Sequence, residues 1–214
     1  MFLASDLLQR IEKELGKGSV IQSHDVALRA ISYWNSAPMS ALAIVRPSTT
    51  AEVSFVLALC NAHNQSVITQ GGRTGCVEGT RSGPDDIVLS LERMNAVSEV
   101  DPVSATVTVE AGAILEKVQE TVGKQGLLLP LDLGARGSCT IGGNLATNAG
   151  GMNVIRYGMV RALTVGLEAV LPDGTVVSSM DKMIKNNAGF DLKQLFIGTE
   201  GALGVITRAI LRLR

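Results

Sequence analysis

The sequence predicts an α+β fold built in two lobes. Three observations carry this reading. Segments with strand texture outnumber helical stretches, and they fall in two successive batches divided near residue 100 rather than in an alternating βαβ array. The composition is 46% hydrophobic but only 3% aromatic, so the core must be aliphatic, made of Val, Ile, Leu and Ala. Three Gly-rich loops, at 71–79, 132–151 and 198–204, each stand beside a strand and are placed to converge in a cleft between the lobes.

The first batch opens with a helix over residues 5–15. Leu7, Leu8, Ile11 and Leu15 share one face, Ser5 is the expected N-cap and Gly16 the stop. Residues 23–40 are irregular, and Trp34, the only tryptophan, is expected to be a buried anchor. A short strand at 43–45 leads into a helix over 50–64. Val53, Val56, Leu57 and Cys60 fall there at i, i+3, i+4 and i+7, and Thr50 is the expected N-cap. Residues 67–69 resume a strand.

Strands follow at 87–91, 96–100 and 106–110, expected in one sheet, with a turn at Asp101-Pro102. A helix over 113–124 turns Ile114, Leu115, Val118 and Val122 inward and ends at Gly126. After the second Gly-rich stretch, Pro172-Asp173-Gly174 joins strands at 164–171 and 175–178 as a hairpin. A short helix over 192–197 and a strand over 205–213 close the chain.

Charge and cysteine content exclude several classes. Nineteen basic residues against 20 acidic ones give a net charge of −1, with no basic run, so nucleic acid is not an expected partner. Cys60, Cys76 and Cys139 show no C-x-x-C spacing, which argues against a disulfide framework or structural zinc. No segment has the length of a membrane span or the pattern of a leader. A reducing compartment follows, and the cytoplasm is the expected location.

The loops carry the chemistry. Residues 132–151 read DLGARGSCTIGGNLATNAGG, six of them glycine. Glycine admits φ > 0 and close approach of a ligand, and successive freed N–H groups make a concave cradle for anionic oxygens. A phosphate-bearing cofactor is one reading; a tight corner without a ligand is the other. The 71–79 loop follows a strand but no apolar-periodic helix follows it, so it is not the opening of a Rossmann dinucleotide unit.

The order and wording of Gly71-Gly72-Arg73-Thr74-Gly75, Pro130-Leu131-Asp132-Leu133-Gly134, the run from Gly137 to Gly151, Arg156-Tyr157-Gly158 and Asp191 to Gly201 decide between these. The chain resembles the FAD-binding (PCMH-type) domain of the vanillyl-alcohol-oxidase type flavoproteins, over roughly residues 40–214. Its wording is most similar to the branch that oxidises D-2-hydroxyglutarate, D-lactate and glycolate. The resemblance implies an N-terminal helical segment over 1–36 and one domain over 37–214, with lobes at about 37–100 and 101–214.

It further implies FAD laid between the lobes. Gly71, Gly72, Arg73, Thr74 and Gly75 would bind pyrophosphate through backbone amides. Pro130, Asp132, Ser138, Cys139, Thr140, Gly142, Gly143, Asn144, Thr147 and Asn148 would line pyrophosphate and flavin. Gly201, Gly204, Val205 and Ile206 would meet the cofactor from the last strand. Some relatives hold flavin covalently through a histidine in the first loop; Arg73 stands near that place, so non-covalent FAD is expected.

The implied reaction is oxidation of a D-2-hydroxy acid to the 2-oxo acid by hydride transfer to flavin N5. The implied cap domain, which carries the substrate-binding residues and a histidine-rich metal site, is absent from these 214 residues. His24 and His63 cannot supply such a site, and no catalytic base is visible. Arg136, Arg156 and Arg161 either face the flavin and attract a carboxylate or form surface ion pairs. The alternative to a dehydrogenase portion is a non-catalytic FAD module that needs a partner chain. Apolar surface uncovered by the missing cap makes homo-oligomers an expectation.

Overall fold

The computed structural model describes residues 4–22, 24–183 and 185–214. Residues 1–3 and 23 of the expected N-terminal segment lie outside these. Helix α1 (Ala4–Leu15) buries Leu7, Leu8, Ile11 and Leu15, as its periodicity dictates, and ends at Gly16 with φ +88°. Strand β1 (Val20–Gln22) and a single turn, α2 (His24–Ala27), follow. Then come β2 (Ala43–Val45), α3 (Thr50–Ala62), β3 (Val67–Gln70) and β4 (Ile87–Ser90).

These strands form the first sheet, in the order β1-β2-β4-β3. β4 lies parallel to both β2 and β3, while β1 adds antiparallel to β2. Parallel pairing needs a crossover, and α3 supplies it between β2 and β3. Its N-cap is Thr49, not Thr50: Thr49 Oγ1 accepts the Glu52 amide at 3.1 Å, and the Glu52 carboxylate accepts the Ser48 amide at 2.7 Å. That reciprocal exchange releases the Thr50 hydroxyl for a longer-range bond.

The second sheet is antiparallel throughout. It comprises β5 (Val97–Asp101), β6 (Thr106–Glu110), β7 (Thr164–Val170), β8 (Val176–Ser179) and β9 (Val205–Arg212), in the order β5-β6-β9-β7-β8. The residue 87–91 strand was expected with β5 and β6, but it belongs to the first sheet. All four of its residues are buried, which suits the middle of a parallel sheet covered on both faces. The 172–174 turn closes the β7–β8 hairpin, with Gly174 at φ +88°.

Helices α4 (Leu115–Gly123), α5 (Ile141–Ala146), α6 (Val154–Tyr157), α7 (Val160–Leu163) and α8 (Lys193–Phe196) complete the chain. One core runs through both sheets, joining Ile87 and Leu89 to Val107, Leu167 and Leu211. α3 touches α1 and also β7, so its apolar side chains are buried on several faces. A smaller cluster of Val26, Met39, Ile44 and Val88 covers the opposite face of the first sheet.

Candidate cofactor cleft

A cleft of about 670 Å³ opens between the sheets, and segments of all three Gly-rich loops line it. The size is that of a small-molecule or cofactor site, about 300–1,000 Å³. The 71–75 loop packs directly on the second loop. A Cβ at Gly71 would stand 2.4 Å from Thr140 Oγ1, one at Gly72 would stand 2.1 Å from the Ser138 carbonyl oxygen, and one at Gly142 would stand 2.6 Å from Ala111 Cβ. Only glycine permits these approaches, so the loops define the cleft as a unit.

The stretch of residues 132–151 is not one extended loop. Its middle is α5, capped by Thr140, whose side chain accepts from the Gly143 amide. Ile141, Gly142, Asn144 and Leu145 are buried. The small residues let this helix sit tightly under the cleft, and Leu145 and Ile141 anchor it in the core. The chain leaves α5 through Asn148 at φ +48°.

The first loop is open in its hydrogen bonding. Among the described residues, none of the backbone N–H groups of 71–77 donates a hydrogen bond to the protein. Arg73, at φ +54°, turns its own side chain away to the Ala30 carbonyl. Burial, reinforced by the neighbouring Arg29, pulls its guanidinium below the ordinary value. Its role here is therefore to shape the loop. Successive free amides in such a loop present a local positive field to an anion.

Fifteen of the predicted residues line the cleft: Gly71, Gly72, Arg73, Thr74, Gly75, Cys139, Thr140, Gly142, Gly143, Asn144, Thr147, Gly201, Gly204, Val205 and Ile206. Four do not. Pro130 is buried, and its carbonyl accepts Asn153 Nδ2 at 3.0 Å. Asp132 pairs with Arg136 at 3.0 Å. Ser138 contributes only its carbonyl, against Gly72, and Asn148 Oδ1 accepts the Arg161 amide at 3.3 Å. A contiguous sequence run cannot all face one cavity once a helix turns through it.

The structure adds walls that the loops alone do not reveal. Tyr33, Trp34, Val77, Leu133 and Glu200 also face the cleft. Trp34 is not a buried anchor: it is 62% exposed, with its indole nitrogen donating to the Thr74 carbonyl at 3.0 Å. Its isolation in an irregular segment gave no periodic face from which to place it. Cys139 is buried beside Asn144 Nδ2, 3.5 Å away, and burial raises its thiol above the ordinary value.

The three arginines are accounted for. Arg136 pairs with Asp132, Arg156 stands over the Tyr157 ring at 5.2 Å, and Arg161 donates to the Gln194 and Ile197 carbonyls. Arg161 thereby holds the turn after α8. Among the described residues, no group of three His, Cys, Asp or Glu side chains is placed to hold a metal, and no helix is long and apolar enough to cross a membrane.

The family model described as "FAD binding domain" matches residues 41–179. The chain belongs to this FAD-binding family. Relatives of this FAD-binding domain include the mitochondrial D-2-hydroxyglutarate dehydrogenase of Bos taurus, 50% identical over 168 residues, and that of Arabidopsis thaliana, 40% identical over 195. The matches cover 78% and 91% of this chain, but 31% and 35% of the relatives. The chain thus spans about a third of their length. Among solved structures, an alkyldihydroxyacetonephosphate synthase superposes with a TM-score of 0.86 at 22% identity, covering 100% of this chain and 41% of the other. Phl p 4, a grass pollen allergen with glucose dehydrogenase activity, gives 0.82 at 20%, covering 98% and 44%. These two show the fold.

The expected cytoplasmic location is corrected by the relatives, which are named as mitochondrial. Cysteine spacing without a disulfide framework does not choose among compartments.

Proposed function

We propose that this chain is the FAD-binding portion of an oxidoreductase that converts a D-2-hydroxy acid, of the D-2-hydroxyglutarate or D-lactate class, to the 2-oxo acid. The observation that carries the reading is the loop of unpartnered amides at 71–77 locked by glycines onto the 138–143 segment. That cradle fits the pyrophosphate of FAD, which bears two negative charges and needs donors rather than bulk. Thr140, Asn144 and Thr147 supply polar contacts on the facing wall, and Gly201, Gly204, Val205 and Ile206 close it from the start of β9.

FAD, when bound, supplies acceptance of a hydride at N5; the protein's task is to orient it and exclude water. Residues 71–79 contain no histidine, so attachment through that loop has no imidazole to use, and FAD is held non-covalently. Arg161 is committed to the 194–197 turn and does not receive a substrate carboxylate. We assign recognition of the hydroxy acid to the parts of the longer relatives that this chain does not span. The lobes are taken as about 37–100 and 101–214, and an assembly of more than one copy is part of the same proposal.

The purified chain should take up FAD with the yellow absorption of an oxidised flavin, and should release all of it on denaturation. Protein that refuses added FAD would remove the reading. Anaerobic addition of D-2-hydroxyglutarate or D-lactate to the full-length protein should bleach the flavin; bleaching by neither would remove the substrate class.

A further inference from the structure

We propose that residues 29–35 form a preassembled aromatic wall of the cleft, on which Trp34 stacks a flat ring of the bound dinucleotide. The inference rests on the FAD reading and deepens it. Trp34 and Tyr33 both line the cleft, and they are 62% and 65% exposed. Their rings meet edge to face, 5.0 Å between centroids at 76°. Two adjoining aromatics left in water in a chain that has only seven aromatic residues are costly unless something covers them.

Exposure here does not come with freedom. Trp34 Nε1 donates to the Thr74 carbonyl at 3.0 Å, and the Tyr33 amide donates to the Arg73 carbonyl at 3.0 Å. The amides of Trp34 and Asn35 both donate to Ser32 Oγ, itself buried. Asn35 Nδ2 donates to Glu78 Oε1 at 3.0 Å, and Arg29 grips Glu92 through two bonds of 2.6 and 2.9 Å. The wall is therefore pinned at both flanks to the elements that carry the first loop. A fixed ring loses little entropy when a partner stacks on it.

Position supplies the ligand chemistry. The indole is bonded to Thr74, inside the run of unpartnered amides. An anion cradle and a rigid aromatic face side by side suit a ligand with phosphate next to a flat heterocycle. The competing role for the indole is as a peg that ties residue 34 to residue 74, and that role would need the N–H rather than the ring face.

The test compares Trp34→Phe, which keeps a ring and loses the N–H, with Trp34→Leu, which loses both. Because Trp34 is the sole tryptophan, FAD binding to the unaltered chain should quench its emission. Trp34→Leu should weaken FAD about tenfold or more, and Trp34→Phe about threefold, at similar melting temperature. Titration with ADP and with FMN identifies the ring: whichever ligand loses affinity in Trp34→Leu carries it, and either result supports the wall. FAD affinity unchanged in Trp34→Leu, or lowered equally in both variants, overturns it. An unaltered chain that takes no FAD at all would instead fail the proposed function itself.

Discussion

Thr50 Oγ1 donates a 2.7 Å hydrogen bond to Glu168 Oε1, tying the first turn of α3 to β7 of the second sheet, 118 residues away. The same carboxylate oxygen accepts Thr207 Oγ1 of β9 at 3.1 Å, and Arg208 lies 3.9 Å from its other oxygen. Glu168 is almost fully buried, so its desolvation is offset by two hydroxyl donors and one cation. It is a polar link between α3 and the second sheet, and it does not line the cleft.

Removing that carboxylate leaves the half-buried Thr50 hydroxyl without its acceptor and leaves the buried Thr207 hydroxyl only the Glu168 carbonyl, 3.4 Å away. Glu168→Ala should cost about 2–3 kcal/mol of stability and Glu168→Gln about 1 kcal/mol. Thr50→Val should cost about 1 kcal/mol, and the Thr50→Val/Glu168→Ala pair should cost less than the sum. Urea unfolding of the four variants and the unaltered chain checks this. Additivity would mean the bond contributes nothing.

The glycine contacts separate packing from mere loop flexibility. Gly72→Ala drives a Cβ into the Ser138 carbonyl, a backbone atom that cannot move aside. It should destabilise by about 2–3 kcal/mol and abolish FAD uptake. Gly75, in the same loop, has nothing within 4 Å and no positive φ, so Gly75→Ala should stay within about 0.5 kcal/mol. Thermal melts and flavin absorption distinguish the two.

Acid should loosen the aromatic wall before the core. The double hydrogen bond from Arg29, with Arg46 and Ser90 adding to it, holds the Glu92 carboxyl down at about 2 from an ordinary 4.5. A folded-state value below the unfolded one stabilises when the group is ionised. The contribution is therefore complete above about pH 4.5 and is lost as pH falls toward 2. Glu92 is partly exposed, so the contribution after screening is about 1 kcal/mol. Tryptophan emission followed from pH 5 to pH 2 should change in this window, and Glu92→Gln should flatten the change.

The three thiols should react in sequence. Cys76 is exposed on the first loop, whereas Cys60 and Cys139 are buried. Burial pushes the Cys60 thiol up to about 11 and raises Cys139 as well, which keeps both protonated and unreactive. A colorimetric thiol reagent should therefore titrate one cysteine in the native chain and all three in denaturant. FAD should slow the first reaction.

Apolar side chains on the surface predict self-association. Ile155 and Phe190 are almost wholly exposed, and Met152 is 84% exposed. Ile155→Ser with Phe190→Ser should lower association in sedimentation, with a change in melting temperature of no more than about 2 °C. Unchanged association would place the contact elsewhere.

Local pattern was enough for most elements. The heptad-like spacing of α1 and the Val53–Cys60 face of α3 specify helices because side chains 3.6 residues apart share a face whatever surrounds them. The Pro172-Asp173-Gly174 turn specifies a hairpin because Gly174 alone meets its φ of +88° cheaply. The wording of the Gly-rich loops went further and identified the FAD-binding family, since amide cradles leave a recognisable residue order.

Partnership was not legible. Nothing in Ile87–Ser90 says that its neighbours are β2 and β3 rather than β5, because all-apolar strands look alike until a sheet covers both faces. Thr50 and Glu168 carry no mark of each other across 118 residues.

The sequence by itself determined helices α1, α3, α4 and α8, the hairpin, the aliphatic core and the three glycine-rich segments, all of which rest on short-range sterics and periodicity. Only the tertiary structure decided which loop residues share the cleft, that α5 turns Asn148 and Ser138 out of it, and that Trp34 stands at its wall. Those outcomes depend on burial and hydrogen bonding between segments far apart in the chain, and a one-dimensional pattern does not encode who meets whom.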